Sequence, residues 1–148
     1  MVSHILVAVD GSTHGDRALA FASDLALKYE ADMTVLNVVS YASTVPLALG
    51  AYAELEGLYA ESRSVLQEAG DKIVANAAEQ ARRLGVENVT PVVELGSPAQ
   101  AICDTADGIG ADVIVMGRRG LSDFTGFFLG SISHKVAHSA DCTVVTVK

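Results

Sequence analysis

Five short apolar runs alternate along the chain with longer stretches in which apolar residues recur at helical spacing. The runs are Ile5–Val9, Met33–Val39, Val89–Leu95, Val113–Met116 and Thr143–Val147. Continuous apolar runs of this length, rich in β-branched residues, are typical of parallel strands buried on both faces. The alternation with helical stretches therefore predicts an α/β fold: a single doubly wound domain with a five-stranded parallel sheet and helices on both faces.

The helical stretches have recognisable starts and stops. The first is expected to begin near Thr13, with Ser12 or Thr13 as its cap, and to place one apolar face on the core. That face consists of Ala18, Phe21, Ala22, Leu25, Ala26 and Tyr29. The other predicted helices run from about Ala51 to Leu84 with a kink or break at Gly57 or Gly70, from Ser97-Pro98 to about Ile109, and from Ile132 to Ser139.

A spaced glycine pattern follows the fourth apolar run. Gly117 and Gly120 are separated by two residues, and nine further residues precede Gly130-Ser131 at the predicted start of the last helix. Glycines between a strand and a helix allow backbone N–H groups to approach an anion, and the helix dipole favours negative charge there. Ser131 and Ser133 add hydroxyl donors. The pattern predicts a phosphate-binding loop.

Two other phosphate loops are excluded by the sequence. A Walker-type loop needs Gly-Lys followed by Ser or Thr, which does not occur here. The dinucleotide fingerprint Gly-x-Gly-x-x-Gly is missing after the first predicted strand.

The spacing Gly-x2-Gly-x9-Gly-Ser resembles the ATP-binding motif of the universal stress protein family, and the resemblance extends from the opening Ile5–Ser12 to the closing Cys142–Val147. It implies one nucleotide-binding domain over residues 1–148, strand order 3-2-1-4-5 and bound ATP. Mg2+ is expected to accompany the phosphates, because the loop contains no lysine and the chain is acidic. Ligands of such sheets bind where the winding direction reverses, which places Asp10 beside Gly117. The implied nucleotide-binding residues are Ala8, Asp10, Val38, Met116, Gly117, Gly120, Gly130, Ser131, Ile132 and Ser133.

Each of these residues also has a purely structural interpretation. Asp10 followed by Gly11 is a common turn, and Ala8, Val38 and Met116 suit a core. The glycines could serve only a tight turn and a helix start. Arg118 and Arg119 could neutralise phosphates, although adjacent loop arginines are more often solvated.

Charge and composition limit the classes of partner that the chain is expected to bind. The net charge of −8 argues against nucleic acid and anionic membranes, which need a basic patch. No apolar run is long enough to cross a bilayer and no signal peptide is evident, so a cytoplasmic protein is expected. Cys103 and Cys142 are expected in the core, and His134 and His138 are expected to be exposed or capping residues, not metal ligands.

The function implied is that of a nucleotide-dependent regulator. The resemblance implies a homodimer through the strand Thr143–Val147, with assembly to a tetramer left open, and a protein client such as a transporter. Thr143 replaces the proline that family members often carry there. The alternative is a slow ATPase or phosphotransferase at the same site. Flavin binding and a phospho-receiver domain fit less well, because their phosphate loop and acidic pocket cannot be placed.

Overall fold

The five predicted strands form one parallel sheet in the computed structural model, which describes residues 1–40, 52–119 and 130–148. The strands are β1 (His4–Ala8), β2 (Asp32–Val39), β3 (Val89–Leu95), β4 (Val113–Gly117) and β5 (Thr143–Val147). The helices are α1 (Thr13–Tyr29), α2 (Tyr52–Arg83), α3 (Pro98–Ile109) and α4 (Ser131–Ser139). The strand order is β3-β2-β1-β4-β5, as the family resemblance implied.

The helices begin and end at residues that satisfy their free backbone groups. Ser12 caps α1 by accepting a hydrogen bond from the Gly15 N–H at 3.1 Å, which confirms the predicted cap. Pro98 occupies the first turn of α3, and Gly110 ends that helix in the left-handed conformation with φ 65°.

The face that α1 turns toward the sheet differs from the predicted one. Its buried residues are Gly15, Ala18, Leu19, Ala22, Ser23 and Ala26. Phe21 and Tyr29 are 42% and 43% exposed, so their predicted place in the core is wrong. Small residues dominate the buried stripe, and they allow the helix to lie close to the strands while the two aromatic rings remain at its margin.

Helix α2 continues through both of its glycines without a break. Gly70 lies against the sheet instead. A Cβ atom built there would come within 3.0 Å of Asn37 Oδ1 and of Val93 Cγ1. The glycine therefore lets α2 pack closely on β2 and β3.

Two hydrophobic clusters lie on opposite faces of the sheet. One joins Ile5, Val7, Met33, Val35 and Val115 to α1 and α2; the other joins Leu6, Leu36, Ile114 and Met116 to α3 and α4. Within the described ranges, no helix has both the length and the apolar character needed to cross a membrane.

One carboxylate, that of Asp112, links β1 to β4 at the amino-terminal end of the sheet. Asp112 Oδ2 accepts hydrogen bonds from the Ser3 N–H at 2.7 Å, the Ser3 hydroxyl at 2.9 Å and the His4 N–H at 3.0 Å. The backbone hydrogen bond from Ser3, followed by that from His4, lowers the pKa of Asp112 below its ordinary value. Asp112 thereby fastens the start of β1 to β4.

The two outer edges of the sheet differ in their donors. The Met33 N–H donates to the Asn88 carbonyl, and this register turns the nitrogen of Pro91 toward the outer edge of β3, where proline supplies no hydrogen. On β5, the Thr143 N–H donates inward to the Asp112 carbonyl at 3.3 Å. The N–H that Thr143 provides therefore serves the sheet itself, and the backbone groups of Val144 and Thr146 face the open edge.

Candidate functional site

A cavity of about 110 Å3 opens at the carboxyl ends of β1 and β4, where the strand order reverses. This is the position at which open α/β sheets bind ligands. Its lining comprises Ala8, Val9, Asp10, Gly15, Leu36, Asn37, Val38, Pro98, Ile102, Met116, Gly117, Arg118, Arg119, Ile132 and Ser133. Seven of the predicted site residues are therefore brought together: Ala8, Asp10, Val38, Met116, Gly117, Ile132 and Ser133. Gly120 lies outside the described residues.

Asp10 is fixed at the mouth of this cavity by a short turn. Its Oδ1 atom accepts a hydrogen bond from the Ser12 N–H at 3.0 Å. Gly11, between the two, has φ 79°, a conformation that favours glycine. Gly15 lies close enough that an added Cβ atom would stand 3.2 Å from Asp10 Oδ1. The turn and the first turn of α1 thus hold the carboxylate in one place.

Gly117 is a glycine because α1 approaches it closely. A Cβ atom built on Gly117 would stand 2.8 Å from His14 Cβ, 2.9 Å from His14 C and 3.0 Å from His14 O. These are backbone-proximal atoms that cannot swing aside. Packing between β4 and the first turn of α1 therefore requires glycine at position 117, independently of any ligand.

The start of α4 has fewer free donors than its sequence suggests. The Gly130 N–H donates to the Arg118 carbonyl at 2.8 Å. The Ser133 hydroxyl, 2% exposed as a residue, lies 2.9 Å from the same carbonyl and 3.0 Å from the Gly130 carbonyl. Both groups connect the end of β4 to α4. The backbone N–H groups of residues 131–133 open the helix and have no partner within it, so they are the donors available to an anion.

Ser131 and Gly130 are placed differently from the other predicted residues. Ser131 is exposed at the first position of α4 and does not line the cavity. Gly130 is the N-cap, with φ −59° and ψ 155°, angles that any residue adopts. Its predicted glycine requirement therefore does not come from its backbone conformation.

Sequence reasoning missed several residues of the lining. Asn37 is 7% exposed and donates from Nδ2 to the Val9 carbonyl at 2.8 Å, which joins the ends of β1 and β2. A polar residue inside an otherwise apolar run was the signal that could have revealed it. Pro98 and Ile102 reach the cavity from α3, and the sequence carries no signal for this because the contact depends on helix placement.

Arg118 and Arg119 line the cavity, whereas adjacent loop arginines were expected to be solvated more often. The Nε atom of Arg118 is buried and has no hydrogen-bond partner among the described residues. In a chain with a net charge of −8, two guanidinium groups beside a helix start make this cavity locally favourable to anions.

The donor set suits Mg2+ only as a companion of phosphates. Within residues 1–40, 52–119 and 130–148, no group of three or more His, Cys, Asp or Glu side chains is placed to hold a metal ion. Mg2+ commonly takes one or two carboxylates and completes its shell with phosphates and water. Asp10 is the carboxylate that the described lining offers. His134 and His138 are exposed on α4, as expected.

Cys103 is buried in the cluster between the sheet and α3 and α4, as predicted, whereas Cys142 is partly buried and packs against that cluster. Burial raises the pKa of the Cys103 and Cys142 thiols, and the nearby Asp107 carboxylate raises both further. Both thiols are therefore kept protonated and have little nucleophilic character.

Comparison with known proteins agrees with this architecture. The model of the universal stress protein family matches residues 1–148. Universal stress protein YxiE of Bacillus subtilis is 36% identical over 149 residues, with 100% of each chain covered. The solved structure of universal stress protein UspA from Lactobacillus plantarum has TM-score 0.87 at 22% identity and covers 99% of this chain and 98% of its own. A universal stress protein crystallised in complex with cAMP has TM-score 0.72 at 24% identity, covering 99% and 97%. This chain therefore belongs to the universal stress protein family.

Proposed function

We propose that this chain is a cytoplasmic, nucleotide-dependent regulator that binds ATP, accompanied by Mg2+, in the cavity between β1 and β4. The observation that carries the proposal is the composition of that cavity. It combines an apolar interior with one carboxylate, two arginines and the start of a helix, all at the switch point of a doubly wound sheet.

The apolar part of the lining suits a purine base. Ala8, Val38 and Met116 would contact the base on one side of the sheet, with Ile102 closing the cavity from α3. The Asp10 carboxylate would accept hydrogen bonds from ribose hydroxyls or from an adenine amino group. The solved relative whose complex contains cAMP supports an adenine nucleotide as the ligand class.

The polar part suits phosphates. The backbone N–H groups of residues 131–133 and the positive end of α4 would face them. Gly120, Gly130 and Ser131 belong to the same proposed phosphate region. Mg2+ would neutralise phosphate charge when bound, and Asp10 is the carboxylate that the described lining offers to it.

Regulation would act through assembly or through a client protein. We propose a homodimer joined through β5, whose open edge carries Val144 and Thr146. Nucleotide occupancy would bias this assembly, or a further step to a tetramer, by favouring one arrangement of the chain around the cavity.

Slow ATP hydrolysis or phosphoryl transfer is the second candidate, favoured by the two arginines in the lining. Efficient transfer also needs a base or a water-orienting group beside the reacting phosphate. In the described lining the carboxylate is Asp10, which the proposed binding mode already assigns to the nucleotide and its Mg2+. Regulation is therefore the better-supported function.

The test is nucleotide analysis of the freshly purified chain, compared with Ala8→Leu and Gly108→Ala. The leucine side chain would fill the cavity beside Met116. Gly108→Ala, on α3, places its Cβ atom where no atom lies within 4 Å and serves as the control. Intact ATP released from the wild type and the control but not from Ala8→Leu, with circular dichroism showing all three folded, is the expected result.

Other outcomes discriminate between the candidates. ADP in place of ATP, or loss of bound ATP within minutes when Mg2+ is added, would favour the phosphotransfer alternative. Absence of nucleotide from the wild type, together with no uptake of added ATP, would refute nucleotide binding.

A further inference from the structure

Arg118 carries a buried donor that nothing in the described protein uses. Its Nε atom is inaccessible to solvent and has no hydrogen-bond acceptor among the described residues, while the side chain lines the cavity. A guanidinium group stays protonated in proteins and has no acceptor capacity, so it cannot avoid this cost by changing its charge. Such a group favours a hydrogen-bond acceptor in the cavity, and an anionic acceptor would also neutralise its charge.

The backbone of Arg118 is held on both sides. Its N–H donates to the Val147 carbonyl of β5 at 2.7 Å, and its carbonyl accepts the Gly130 N–H at 2.8 Å. The Ser133 hydroxyl lies 2.9 Å from the same carbonyl. The side chain therefore starts from a fixed point between β4, β5 and α4, which lowers the entropy lost when it binds a ligand.

Other arginines in the described ranges show the contrast. Arg82 donates to the Val89 carbonyl at 2.7 Å, and Arg83 pairs with Glu79 on the surface of α2. Each of these two has an acceptor in the protein and is also exposed to solvent. The unused donor of Arg118 lies instead in the wall of the cavity.

We infer that Arg118 is the residue that recognises the phosphate group of the bound nucleotide. The inference rests on the proposed function, because it takes the nucleotide to occupy the same cavity. The planar guanidinium matches two phosphate oxygens at once, and a charge-assisted pair of this kind is stronger than a neutral hydrogen bond. Arg118 thereby sets the preference of the cavity for a nucleotide over a nucleoside.

The test is calorimetric titration with adenosine, AMP and ATP. The wild type is expected to bind AMP about tenfold or more tightly than adenosine. Arg118→Gln keeps the backbone hydrogen bonds of residue 118 and should bind adenosine like the wild type. It should lose most of the preference for AMP over adenosine. Arg83→Gln removes the same charge from a distant surface and should retain the preference for AMP. Arg119→Gln should retain more of this preference than Arg118→Gln.

The outcomes distinguish a failure of the role inferred for Arg118 from a failure of the proposed nucleotide binding. Equal binding of adenosine and AMP by the wild type would overturn the role of Arg118 while leaving the cavity a nucleoside site. The role of Arg118 would also be overturned if Arg118→Gln kept the full preference for AMP over adenosine. The same holds if that preference were lost in Arg119→Gln instead. Failure of every ligand to bind the wild type would overturn both proposals.

Discussion

Replacing Gly117 with alanine should destabilise the chain even when no nucleotide is present. The added Cβ atom would stand 2.8 Å from His14 Cβ and 2.9 Å from His14 C, closer than such atoms approach in folded proteins. His14 cannot withdraw easily, because Ser12 holds the same helical turn through the Gly15 and Asp16 N–H groups. Overpacking of this kind costs about 1–3 kcal/mol.

Part of that cost is offset in the unfolded chain. Alanine has fewer accessible backbone conformations than glycine, which stabilises a protein by about 0.4–1 kcal/mol where the native conformation is compatible. The net loss in unfolding free energy should therefore be about 1–2 kcal/mol. For a chain of this length it corresponds to a fall in melting temperature of about 3–6 °C.

The assay is thermal and urea unfolding of nucleotide-free protein, followed by far-ultraviolet circular dichroism. Gly108→Ala is the matched control, since its Cβ atom meets nothing within 4 Å, and its stability should be unchanged or raised by up to about 1 kcal/mol. If Gly117→Ala unfolds within about 0.5 kcal/mol of the control, the close approach of His14 does not constrain position 117. The glycine would then have to be explained by the ligand alone.

Three further predictions concern other parts of the chain. Ser12→Ala should lower the unfolding free energy by about 1 kcal/mol through loss of the α1 cap, whereas Ser12→Asp should preserve it; urea unfolding measures both, and equal losses would exclude a capping role. Asp112 has a lowered pKa in the folded chain, so its contribution to stability is present above its ordinary value of 3.8 and is lost as the pH falls through the lowered one. Melting temperatures between pH 7 and pH 2 should therefore fall less for Asp112→Asn than for the wild type, and parallel curves would contradict this. The raised pKa values of Cys103 and Cys142 predict slow alkylation by iodoacetamide at pH 8 and rapid alkylation in urea. Rapid labelling of the folded chain would be inconsistent with protonated thiols.

The order of elements could be predicted from the sequence because strand and helix periodicities are local properties. Each of the five apolar runs became a strand, and the cap at Ser12 was identified from its own residue type. The long helix α2 shows the limit of this approach. Gly70 suggested a break, but its role depends on its packing against β2 and β3, which the local sequence pattern does not show.

Only part of the chemistry of the site could be predicted from the sequence, because tertiary contacts decide the rest. Spacing identified Gly117 and the start of α4, yet the requirement for glycine at 117 arises from His14, about a hundred residues earlier. Ser133 was predicted to offer its hydroxyl to an anion, and in the structure this hydroxyl, like the Gly130 N–H, lies within hydrogen-bonding distance of the Arg118 carbonyl. Whether a donor is free or used depends on the tertiary structure, which residue type alone does not reveal.

The unequal edges of the sheet limit how copies of this chain can associate. On β3, Pro91 removes a hydrogen from the middle of the outer edge, so a neighbouring strand could not pair along its full length. On β5, Val144 and Thr146 present both their N–H and their carbonyl groups. Two copies joined through β5 would each end in a β3 edge that blocks further pairing. The missing donor at Pro91 therefore disfavours edge-to-edge pairing beyond such a closed pair, and with it the growth of a continuous ribbon.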